Sequence, residues 1–171
     1  MFKKGEYVVY GSKGVCLIQD VAHVDMPGAD KDRLYYIMSP LQSQNQGGVV
    51  YLPTDSNKAV IRKIMTKEEA NLLLKEIPDI EHLEVRDEKK REESYKEALR
   101  SCSGRAWVSV IKTLNERKAS RIEAGKKVTA LDERYLRAAE HELYGELSVV
   151  LDVPREEIKE FIDNSIGVCE E

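Results

Sequence analysis

The chain has 171 residues, is 42% hydrophobic and carries a net charge of −4, which fits one ordinary soluble domain or two small ones. No apolar run reaches the roughly 18 residues that span a bilayer. Cys16, Cys102 and Cys169 sit in no CxxC pair, which argues against a zinc site and for free thiols rather than a disulfide frame.

Lys3, Lys4 and Glu6 break any apolar run at the N-terminus, so no signal peptide is expected and the cytoplasm is the expected compartment. Tyr7 to Tyr10 then read as a strand, Gly11 to Gly14 as a tight turn, and Val15 to Val21 as the partner strand. Met26 to Asp30 is a turn, and the near-continuous apolar run Leu34 to Met38 is a central strand. Ser43 to Gly48 is a polar loop. Val49-Val50-Tyr51-Leu52-Pro53 is the next strand, which Pro53 ends or marks as an edge. Val60 to Ile64 is the last. Five short strands in residues 1–64 predict a small, strongly bent SH3/Tudor-like β-barrel.

The period changes after Ile64. Thr66-Lys67-Glu68-Glu69 is a capping box, and Ala70, Leu73, Leu74 and Ile77 recur on one helical stripe that Pro78 ends. A charged helix is predicted over Asp87 to Arg100 and another over Gly104 to Ile122, the latter with Trp107, Val110, Ile111 and Leu114 on its apolar face. Gly125 breaks it. Thr129 and Asp132 offer a second cap before a helix carrying Leu136, Leu143, Leu147 and Val150, and Pro154 opens a final helix with Ile158 and Ile162. The fold class is thus α+β: a barrel over 1–64, then an all-α domain of about five helices over 65–171.

Charge is uneven in the helical half. Residues 100–137 carry ten Lys and Arg against four Asp and Glu, a local +6, and residues 138–171 carry two against ten, a local −8. A basic segment beside an acidic one suggests a face for an anionic partner. No nucleophile has a His or Asp partner in a recognisable motif; Ser101, Cys102 and Ser103 are the nearest candidates, and no glycine loop cradles a phosphate. The expectation is a protein that is not an enzyme and takes no cofactor, metal or small-molecule substrate.

Several motifs in order match one family. Phe2-x-x-Gly5-Glu6-x-Val8-Val9-Tyr10-Gly11-x-x-Gly14-Val15, Tyr36-Ile37-Met38 and Val50-Tyr51-Leu52-Pro53 resemble the CarD/CdnL family of bacterial transcription regulators. Its β-domain is similar to the polymerase-interacting domain of the transcription-repair coupling factor. The resemblance continues through Tyr95-Lys96-x-x-Leu99, Val110-Ile111-Lys112-x-Leu114, Glu133-Arg134-Tyr135-Leu136 and Glu142 to Leu147. It implies a barrel that adds a strand to the β subunit of RNA polymerase, and helices that contact promoter DNA and favour the open complex. By that resemblance the polymerase-facing residues are Val49, Val50, Tyr51, Leu52 and Pro53. Lys96, Arg100, Lys126, Lys127, Arg134 and Arg137 are the expected DNA contacts, to phosphates rather than bases.

One departure stands out. Some relatives carry a wedge tryptophan a few residues before the matching tyrosine, whereas no aromatic lies between Leu83 and Tyr95 here, and Arg91 falls at the wedge position. Trp107 lies elsewhere and reads as core. For Lys112, Arg117, Lys118 and Arg121 two readings stay open: phosphate contact, or a solvated face paired with Glu116 and Glu123. Val50-Tyr51-Leu52 alternates poorly, which leaves the orientation of Val50 and Tyr51 open as well. The alternative function is a protein–protein adaptor on polymerase, or on another β-edge partner, that does not touch DNA. A third, a Tudor-like RNA-binding module, requires exposed stacking aromatics among Tyr7, Tyr10, Tyr35 and Tyr36.

Overall fold

The computed structural model describes residues 1–41 and 48–167. Residues 43–47 of the expected polar loop, and Cys169, lie outside the described residues. The chain divides into two compact units, Met1–Ile64 and Met65–Glu171. Among the described residues no helix is long and apolar enough to cross a membrane.

The first unit is an antiparallel sheet of five strands: β1 (Tyr7–Tyr10), β2 (Gly14–His23), β3 (Leu34–Pro40), β4 (Val50–Pro53) and β5 (Ile61–Lys63). Their order across the sheet is β4-β3-β2-β1-β5. The unit is Tudor-like, as the sequence predicts, and its five-stranded sheet is not closed on itself. The two end strands have four and three residues, and among the described residues no β4–β5 ladder joins them. The tight turn at Gly11 is one turn of 3-10 helix, Gly11–Lys13, from which Gly14 leaves with φ of +70°, a conformation that only glycine adopts cheaply.

The register shows how the core face is built. Val8 pairs with Cys16, Ile18 with Met38, and Tyr36 with Leu52. These six side chains form one buried cluster, with Phe2, Val21, Val50 and Ile61 packed against it. Strand alternation alone would bring Asp20 onto the face that holds Ile18. A register shift between Ile18 and Asp20 inserts Gln19 as an extra residue, so that Val21 pairs with Tyr36 instead. This bulge resets the parity of the strand. Asp20 is left exposed and Val21 packs inward.

The second unit holds α1 (Lys67–Glu76), α2 (Arg91–Arg100), α3 (Gly104–Glu123), α4 (Ala130–Leu151) and α5 (Arg155–Ile166). The Thr66 hydroxyl accepts from the Glu69 amide, and the Glu69 carboxylate accepts from the Thr66 amide, completing the capping box. Glu146, fully buried on α4, accepts from the Met65 amide at 2.9 Å. The charged helix expected from Asp87 is two pieces, a 3-10 turn over Glu88–Lys90 and then α2. Asp87 caps the first by accepting from the Lys89 amide. Trp107, Val110, Ile111 and Leu114 are buried together with Leu143, Leu147, Ile158 and Ile162. Trp107 is core, and its indole N–H donates to the Leu99 carbonyl at 3.4 Å. The α3–α4 connection turns at Gly125, φ +72°.

Candidate functional site

β4 is an end strand, bonded among the described residues only to β3. The Thr54 amide donates to the Leu34 carbonyl at 3.0 Å, which fixes the phase of the ladder. Backbone amides and carbonyls alternate in direction along a strand. Leu52 and Val50 therefore turn theirs toward β3, and Tyr51 turns its N–H and C=O away from the sheet. Pro53 falls in the outward phase too, where its missing N–H costs no ladder bond. Side chains alternate on the perpendicular axis. Leu52 is buried, Val50 is packed against the core, and Tyr51 is 41% exposed on the open face. The orientation that the pattern left open is thereby fixed. Val49 precedes the strand, also exposed.

The opposite end strand is built differently. Ile64 donates to the Tyr7 carbonyl, and Gly11 donates to the Val60 carbonyl, so Ile61 and Lys63 hold the outward phase. The Arg62 guanidinium donates to the Lys63 carbonyl at 3.1 Å. One outward acceptor is thus satisfied by the chain itself, and two cations flank it, a usual way of blunting an edge. β4 bears no charge. An uncharged edge with an exposed tyrosine and an outward amide suits strand addition by an extended partner segment. The aromatic residues do not form a stacking row: Tyr35 and Tyr36 are buried and Tyr10 is half-buried, leaving Tyr7 exposed.

In the helical unit much of the local positive charge is used internally. The Lys112 ammonium donates to the carbonyls of Ile77, Pro78 and Ile80 at 3.0, 3.2 and 2.6 Å. It closes the 3-10 turn that follows α1. Arg121 donates to the Lys127 carbonyl at 2.8 Å and so braces the α3–α4 turn. Arg117 bridges Glu88 and Asp132, with its Nε 2.7 Å from the Asp132 carboxylate. Burial works against the Arg117 charge, and the two carboxylates outweigh it, so its pKa is raised.

Asp132 is 3% exposed and also receives Arg91, at 3.4 Å. Its carboxylate serves the two arginines; the second cap at Thr129 has only its forward half, the Thr129 hydroxyl accepting from the Asp132 amide. Arg91, at the position of the expected wedge, has a side chain only 20% exposed and points at Asp132. It is a bracket between α2 and α4 rather than a projecting group.

The six expected DNA contacts fall into three settings. Lys126 and Lys127 are exposed in the α3–α4 connection, and Arg100 is exposed at the end of α2; none of the three makes an ion pair among the described residues. Arg137 lines a groove between α3, α4 and α5 where Lys118 and Lys159 alternate with Glu133, Glu140 and Asp163, a mixed field that weakens its pull on an anion. Lys96 and Arg134 are brought together across α2 and α4 by Glu92. One Glu92 oxygen, Oε1, lies 3.3 Å from the Lys96 ammonium and 3.0 Å from the Arg134 guanidinium, and accepts from the Tyr135 hydroxyl at 2.8 Å. The Tyr135 hydroxyl, helped by Lys96 and Arg134 against desolvation, holds the Glu92 carboxyl below its ordinary value. Sequence spacing marks the Glu92–Lys96 pair, four apart on a helix. It gives no sign of Arg134 or Tyr135, which are 42 and 43 residues away.

Compared with models of known protein families, residues 2–65 match the CarD-like/TRCF RID domain. The match covers the whole sheet unit and agrees with a CarD-like family protein. The chain therefore carries an RNA-polymerase-interacting domain of the kind found in transcription-related proteins. A search of curated proteins gave no match to the chain.

Proposed function

We propose, from the premise that residues 2–65 are a CarD-like/TRCF RID domain, that this protein is a transcription regulator working by binding alone. β4 adds as a strand to the β subunit of RNA polymerase. The helical unit contacts promoter DNA through phosphates, without reading sequence, and stabilises the open complex. The observation that carries this reading is the β4 edge, uncharged and outward-facing, inside a polymerase-interacting domain. The full chain should be retained by immobilised polymerase β subunit; no retention at micromolar concentration would sink the proposal.

The DNA half rests on Lys126, Lys127 and Arg100, three of the expected contacts that the fold leaves exposed and without ion pairs among the described residues. K126E/K127E should weaken binding to every DNA sequence alike. It should also flatten the dependence of log affinity on log salt by about two, at roughly 0.9 for each phosphate no longer neutralised. Unchanged affinity and slope in this variant would remove the α3–α4 connection from the DNA face.

A second reading, an adaptor on polymerase that leaves DNA alone, is favoured by one observation: Arg91, Lys112, Arg117 and Arg121 are all engaged inside the fold. An electrophoretic shift with a forked promoter fragment separates the two readings, since the adaptor gives none at low salt.

A further inference from the structure

We infer that Lys96, Arg134 and Tyr135 form a phosphate-binding site, and that Glu92 fills it in the free protein. The inference rests on the reading that the helical unit meets promoter DNA, and names how one part of that face is regulated. Three donors from two helices converge on one oxygen atom at 3.3, 3.0 and 2.8 Å. Two are cations and the third is a hydroxyl, a set that takes a phosphodiester oxygen as readily as a carboxylate. The donors are pre-set. The Arg134 guanidinium lies 5.1 Å from the centre of the Tyr135 ring, and that ring packs on Tyr95 with centroids 5.6 Å apart. Their opening is toward solvent, since the side chains of Arg134, Lys96 and Glu92 are 65, 48 and 37% exposed.

Glu92 has an ordinary role at its position as well. It lies in the first turn of α2, where an acidic side chain complements the helix dipole. That role needs neither Arg134 nor Tyr135. As a resident anion, Glu92 makes DNA replace one charge-assisted interaction with another, so the site adds little affinity until the carboxylate swings out. The protein is held back from DNA by its own side chain, and any partner that draws Glu92 aside would tighten its grip on the promoter.

The test compares DNA binding by the full chain and by E92Q, with E97Q as the control that removes an equal charge from an exposed position of the same helix. E92Q should tighten binding by about three- to tenfold, and should steepen the salt dependence by about the 0.9 expected of one more neutralised phosphate. E97Q should do neither. R134Q should cost little beside Glu92 and should cancel the gain in the E92Q background, a non-additivity that marks direct coupling. Equal effects of E92Q and E97Q, or an R134Q effect that is the same in both backgrounds, would overturn the inference.

Titration with inorganic pyrophosphate, followed through backbone amide shifts, gives a readout that does not depend on DNA. Shifts centred on Lys96, Arg134 and Tyr135 are expected in E92Q and not in the wild type. Such shifts with no DNA binding by either protein would support the site and sink the promoter reading. No localised shift and no gain on DNA would sink the site, while a K126E/K127E defect would leave the promoter reading standing. Should E92Q fail to fold, E92D takes its place: it keeps the charge, withdraws the carboxylate by one methylene, and should show the same gain at smaller size.

Discussion

Replacing Tyr51 with proline should abolish retention of the protein by the polymerase β subunit while leaving the sheet folded. The expectation comes from the phase of the β4 ladder. The Thr54 amide donates to Leu34, so residue 51 points its amide away from β3. A proline there deletes no internal ladder bond. It deletes the donor offered to an added strand and sets a ring in the partner's path. A partner carbonyl left without that donor costs about 1–3 kcal/mol, roughly five- to 150-fold in Kd. Two companion variants bound the interpretation. Y51A keeps the amide and should weaken retention less. L52P strikes the inward phase and a buried side chain, and should unfold the sheet. Wild-type retention by Y51P, with its fold verified by circular dichroism, would move the docking surface away from β4.

The second large effect concerns stability. D132A should destabilise the helical unit by about 3 kcal/mol, the low end of the range for breaking a buried ion pair from one side. Asp132 is almost wholly enclosed and holds both Arg91 and Arg117. Removing it leaves two guanidinium groups facing each other without a counter-charge. The low end applies because those side chains keep 20 and 26% exposure, so water recovers part of the loss. D132N retains two polar atoms and should cost less. The measurement is urea unfolding followed by tryptophan fluorescence. Trp107 is the only tryptophan in the chain and is buried in the helical unit, so the signal reports that unit and is silent about the sheet. A loss under about 1 kcal/mol, within the range of exposed pairs, would show that the arginines find other partners.

What sequence made legible, and what it hid, follows from the range of the interactions involved. The first hairpin, the Thr66–Glu69 cap and the buried stripe of α3 depend on neighbours within a few residues. Glycines, capping side chains and apolar periodicity write them directly into the chain. The bulge at Gln19 is not written that way: Gln19-Asp20-Val21 looks like ordinary alternation until the partner strand shows that the parity has flipped. The open gap between β4 and β5 is hidden from sequence for a similar reason. Whether β4 and β5 meet depends on the curl accumulated over the whole sheet, and no short motif encodes it.

The site shows the same division. The strand expected to face polymerase came from a motif, and the structure added the direction of its amide. The basic stretch gave a correct sum and a misleading distribution, because counting charges says nothing about which of them the fold consumes. Arg117 and Lys112 reach acceptors 15 and 35 residues away in the chain. Glu92 escaped notice as one more acid on an acidic helix, though it is the residue that joins two of the expected DNA contacts.

The guanidinium of Arg62, capping the Lys63 carbonyl at one end of the sheet, has a consequence for assembly. A sheet open at both ends is divalent: copies can join head to tail without limit, as strand-edge fibres do. With that acceptor satisfied and two cations beside it, the β5 end is blunted and addition through it is disfavoured. Two copies meeting through β4 would close a symmetric pair that leaves only the blunted β5 edges for growth. An uncharged β4 edge can thus stay available for strand addition without inviting open-ended assembly.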